Sequence, residues 1–67
     1  MIQRLYETLS RQELLYHELG AIDNGTIIIV AKSMDAEGVM EVMRIKELAD
    51  KYHLITQWDG SNIRIRQ

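Results

Sequence analysis

Leu54-Ile55-Thr56-Gln57-Trp58-Asp59-Gly60-Ser61-Asn62-Ile63-Arg64-Ile65-Arg66 alternates in period two on both sides of Asp59-Gly60. Such alternation places successive side chains on opposite faces of a strand, and Asp-Gly supplies the positive φ that a tight two-residue turn requires. The stretch reads as a β-hairpin, the strongest local signal in the chain. With Trp58 opposite Ser61, Leu54, Thr56, Trp58, Ser61, Ile63 and Ile65 share a core face. Ile55, Gln57, Asn62, Arg64 and Arg66 then share the exposed face.

Upstream, Val42, Ile45, Leu48, Ala49 and Tyr52 form one stripe of a helical wheel. This predicts a helix from a cap at Ser33 or Asp35 to about Tyr52, with Lys51 and His53 near its negative end. Gly38, in the first turn, weakens it slightly. Val39, Met40 and Met43 lie off the stripe, which gives the helix a second apolar surface. Before it, Thr26-Ile27-Ile28-Ile29-Val30-Ala31 is β-branched and apolar on both faces, the pattern of a strand covered on both sides.

At the start of the chain, Ile2, Leu5, Tyr6, Leu9, Leu15, Tyr16 and Leu19 fall in one half of a wheel, predicting an amphipathic helix over 2–19. Ser10-Arg11-Gln12-Glu13 matches a capping box, but the stripe stays in phase across it. Gly20 closes this helix and Asp23-Asn24-Gly25 makes a turn. The expected architecture is α+β: one two-layer domain over 1–67 in the order α-β-α-β-β, a three-stranded sheet with both helices on one face.

Composition bounds the function. The 67 residues are 46 % hydrophobic and 27 % charged, the balance of a folded domain. Without Cys there is no disulfide or thiolate staple. A core this small yields only about 3–5 kcal/mol, and burial against another copy is the usual remedy, so a homo-oligomer is expected. The formal net charge of −2 lacks the positive footprint of a duplex binder, and only the end of the chain is basic, with Lys51, Arg64 and Arg66 against Asp59. No stretch is apolar for long enough to be a signal peptide or a membrane span, so no membrane association and a cytoplasmic location are expected.

Chemical motifs are sparse. Ser10, Ser33 and Ser61 lack nucleophile-elbow glycines, and Gly20, Gly25, Gly38 and Gly60 are scattered rather than clustered to cradle phosphate. Glu13, one turn before His17, makes only half a metal site, so His17 reads as a surface histidine and His53 as serving a helix terminus. Glu7, Glu18, Glu41, Glu47 and Asp50 read as solvated helical faces. No catalytic residue, metal ligand or cofactor is assigned, and the chain is not expected to be an enzyme.

Two surfaces remain. Val39, Met40 and Met43 form either an interface with a protein partner or the seat of the first helix, Met being favoured at adaptable contacts. The face of Ile55, Gln57, Asn62, Arg64 and Arg66 suits a second copy or, less well, a nucleic-acid strand, because Tyr and Trp are read as core and leave no stacking platform. The segment Ile45-Lys46-Glu47-Leu48-Ala49-Asp50-Lys51-Tyr52-His53-Leu54, followed by a hairpin ending in Arg64-Ile65-Arg66, resembles the single-stranded nucleic-acid-binding domain named for its Arg-xxx-His motif. That resemblance implies the α-β-α-β-β order. Val42 and Lys46 stand where the family has its Arg and His. The sequence therefore points to a non-enzymatic interaction or regulatory protein that is homo-oligomeric and binds a protein partner; the alternative is a single-strand nucleic-acid module using the C-terminal hairpin.

Overall fold

A computed structural model of the chain describes residues 2–33, 35–60 and 62–67. Along it run α1 (Ile2–Arg11), β1 (His17–Asp23), β2 (Thr26–Ala31), α2 (Ala36–Lys51), β3 (Ile55–Asp59) and β4 (Asn62–Arg66). The fold is α+β, with a four-stranded antiparallel sheet in the order β1-β2-β4-β3. Leu5 and Leu9 from α1 and Val42, Ile45 and Ala49 from α2 share one buried cluster with Ile27, Ile29, Ile63 and Ile65 of the sheet. Both helices thus cover the same face, as expected.

The extra strand corrects the expected three-stranded, α-β-α-β-β arrangement and the helix over 2–19. The helix stops at Arg11, and the Ser10 hydroxyl donates back to the Glu7 carbonyl instead of capping a new helix. Residues 17–23 pair with β2 instead. Asn24 and Gly25, at φ 51° and 74°, form the two-residue turn between paired Asp23 and Thr26. A turn with positive φ at both centres matches the twist of the strands it joins, and it competes successfully with a helix that would have to carry Gly20. Gly20 is therefore a strand residue, not a cap. Register shifts between Leu19, opposite Ile29, and Ile22, opposite Ile27, leaving Gly20-Ala21 as a bulge against Ile28. A Cβ on Gly20 would lie 2.6 Å from the Ile28 carbonyl oxygen, so the bulge needs glycine.

β2 has the expected bounds, but its expected double cover is corrected. Ile27 and Ile29 are fully buried, whereas Ile28 is half-buried and Val30 exposed, because both helices lie on one side. α2 starts at Asp35, whose Oδ1 accepts the Gly38 amide at 3.0 Å. Gly38 is required rather than merely tolerated, since a Cβ there would collide with the Ser33 carbonyl oxygen. At the other end the amides of His53 and Leu54 bond the carbonyls of Asp50 and Ala49, with His53 at φ 60°. This double bond across a left-handed residue is the Schellman termination.

In the last hairpin Trp58 stands opposite Ile63 and Asp59 opposite Asn62, so the expected Trp58–Ser61 register is corrected by two residues; Ser61 itself lies outside the described residues. A two-residue slip preserves parity, so the faces are those expected. Ile63 and Ile65 are fully buried and Leu54 is buried, but Trp58 is 52 % exposed, which corrects its placement in the core. It sits on the helix side of an edge strand, beyond the cover the helices provide.

Candidate functional site

The outer side of α2 carries the first candidate surface. Val39, Met40 and Met43 are 42 %, 62 % and 59 % exposed, so α1 does not cover them and the bland reading of this patch is removed. Leu15, expected within a helical core stripe, is also exposed, and its amide is 2.8 Å from Glu41 Oε2 on the same helix. The patch is thus made by the three side chains of α2, while Leu15 belongs to the loop on the Glu41 side of that helix. Adaptable thioethers beside branched side chains suit a contact with a protein surface.

That loop is held by two carboxylates one turn apart. Glu41 accepts the amides of Leu15 and Tyr16 at 2.8 and 2.9 Å and His17 Nδ1 at 2.8 Å, and the Tyr16 hydroxyl donates to Glu37. An ionised carboxylate only accepts, so Nδ1 of His17 carries the proton. Burial pushes the Glu41 carboxyl up, but the hydrogen bond from His17 and those from the two amides outweigh it and hold Glu41 below the usual carboxylate value. The hydrogen bond to Glu37 first, then burial and the neighbouring carboxylates, raise the Tyr16 phenol above its ordinary value.

His17 and Glu41 are only 1 % and 6 % exposed, which corrects the surface reading of both. A signal for Glu41 was present: it stands four residues before Ile45 and seven before Leu48, inside the apolar stripe it was excluded from. Nothing local marked His17, whose burial depends on β1 being a strand. His17 Nε2 is buried without a partner among the described residues. With both side chains almost wholly buried, the pair anchors the loop to α2.

The second candidate surface is the bare side of the sheet. Register brings the expected set together: Ile55 is opposite Arg66, Gln57 opposite Arg64, and Arg64 opposite Ile28 on its other side, with Asn62 at the hairpin end. Arg64 pairs with Asp59 at 3.2 Å, and Arg66 donates from Nε to the Gln57 side chain at 3.2 Å. Its apolar members are Ile28, Val30 and Ile55, and Glu18, opposite Val30, ends the face in negative charge. The face is mixed, with a cationic end at β4.

No helix among the described residues is long and apolar enough to cross a membrane. Comparison with known protein families, with curated proteins and with solved structures finds no match for this chain.

Proposed function

We propose that this chain is a non-enzymatic interaction protein that self-associates and regulates a protein partner by contact through the outer face of α2. The observation that carries this reading is the exposure of Val39, Met40 and Met43, an apolar patch on α2 that no element among the described residues covers. Carried on one helix, the three side chains are held in place before a partner arrives, so binding orders little backbone. The test compares Met40→Glu and Met43→Glu with the wild type in affinity capture from source lysate. A protein retained by the wild type and lost from both variants, with unchanged circular dichroism, supports the reading; equal recovery by all three overturns it.

A second reading, binding of single-stranded nucleic acid, is favoured by Arg64 and Arg66 standing on one face with Gln57. Trp58 is exposed, although on the opposite face of the sheet, so stacking and charge would engage a strand from two sides of the hairpin. Phosphate contacts weaken steeply with salt, so binding of labelled oligonucleotides across a salt series decides it. Absence of binding at low salt ends this reading.

A further inference from the structure

β3 is an outermost strand, paired only with β4. Asp59 and Asn62 flank a two-residue loop, and such a flanking pair exchanges both of its backbone hydrogen bonds. Alternation from there turns the amides and carbonyls of Asp59, Gln57 and Ile55 toward β4 and those of Thr56 and Trp58 outward. Proteins normally blunt such an edge with a bulge, a charge, Lys or Pro. The opposite edge, β1, has that protection in its Gly20-Ala21 bulge and its exposed Glu18 and Asp23. β3 runs in unbroken register from Ile55 to Asp59 without Gly, Pro or Lys, and its one charge, Asp59, stands at the strand end in a pair with Arg64. It exposes Ile55 on one face and Trp58 on the other.

We propose that β3 pairs antiparallel with β3 of a second copy, joining the two sheets into one. The proposal rests on the self-association part of the reading above and names the surface responsible, which is distinct from the α2 patch. Full overlap of the two strands puts the twofold axis at Gln57, with Gln57 opposite its own copy and each Thr56 opposite Trp58 of the other chain. The outward amides and carbonyls of Thr56 and Trp58 then meet in register. Thr56 Oγ1 is buried without a partner among the described residues, and the incoming Trp58 covers that residue in an aromatic and β-branched cross-strand pair. On the bare face, Asp59 of the second copy, paired with its own Arg64, arrives opposite Ile55, with Arg66 on the other side of Ile55 in the first chain. Arg66, hydrogen-bonded to the Gln57 side chain and the Gln67 oxygen, makes that end of the face positive, so the approaching carboxylate meets a charge of opposite sign.

Gln57→Cys gives the decisive readout. The chain has no Cys, and side chains facing across the axis lie about 5 Å apart at Cβ, close to disulfide reach. Mild oxidation is expected to convert most of this variant to a covalent dimer, while Asn62→Cys on the neighbouring strand stays monomeric on a denaturing gel. Gln57→Lys sets like charges opposite each other and is expected to weaken the dimer at least about tenfold in sedimentation, with circular dichroism unchanged. A wild-type chain that sediments as a monomer at every concentration overturns self-association itself. A dimer that persists in Gln57→Lys and does not cross-link through Cys at position 57 overturns the β3 pairing alone and leaves another surface responsible.

Discussion

Glu41 is the residue on which the first third of the chain turns. Three donors converge on one carboxylate, so replacing it strands two backbone amides and a buried imidazole nitrogen together. Glu41→Ala is expected to cost about 3 kcal/mol in chemical denaturation, the range for breaking a buried hydrogen-bonded charge. Because the folded carboxyl titrates below its unfolded value, the stability it contributes is complete above the unfolded pKa. It is lost as pH falls through the lower folded value. Acid denaturation should therefore steepen below about pH 4, and Glu41→Gln should flatten that limb. His53 presents the opposite case, a side chain whose backbone conformation, at φ 60°, favours glycine. Since left-handed φ costs roughly 1 kcal/mol for a residue with a Cβ, His53→Gly is expected to raise stability by about 0.5–1 kcal/mol, read as a higher denaturant midpoint at unchanged slope. The sequence marked His53 as a terminal residue but not its strain, because composition near a helix end does not reveal which residue takes the left-handed turn.

At the scale of elements, what was legible depended on whether one periodicity stood alone. Thr26–Ala31, a β-branched run too short for a helix, and the helical stripe from Val42 to Tyr52 each admit one reading, and both elements stand where the sequence puts them. Residues 15–19 fit a helical half-wheel and also a strand, and no local property separates the two. Asn24-Gly25 decides in favour of the strand, because that dipeptide specifies a hairpin and a hairpin needs a strand on each side. Gly25→Ala, which puts a Cβ on a residue at φ 74° in open space, should cost about 1 kcal/mol through backbone strain alone. Gly20→Ala should cost more, about 1–3 kcal/mol, because its Cβ must displace the backbone of the neighbouring strand. Thermal denaturation of the two variants side by side separates the turn from the bulge. The candidate surfaces were legible on the same terms: Val39, Met40 and Met43 follow from a clear wheel. That Ile55, Gln57, Asn62, Arg64 and Arg66 share a face follows from parity, which survived an error of two residues in register; the pairs Arg64 with Gln57 and Arg66 with Ile55 did not.

Among the described residues of the whole molecule, four strands and two helices enclose one cluster of ten buried apolar residues, while seven large apolar side chains remain exposed. Those seven divide among the α2 patch, the loop at Leu15, the bare sheet face and the β3 edge, so no single contact covers them all. A chain with so small a core gains stability through whatever it binds, and binding of the folded form alone raises the apparent stability by mass action. If copies join through β3, the melting temperature must therefore rise with chain concentration. For a domain of this size, where 1 kcal/mol corresponds to about 4–8 °C, each tenfold increase above the dissociation constant should add several degrees. Gln57→Lys should melt lower at each concentration and need at least about tenfold more protein for the same rise. Met40→Glu should keep the full dependence, since Met40 lies on α2 and not on the paired strand. A melting temperature independent of wild-type concentration, measured by scanning calorimetry across two decades, would place the fold's stability entirely within one copy.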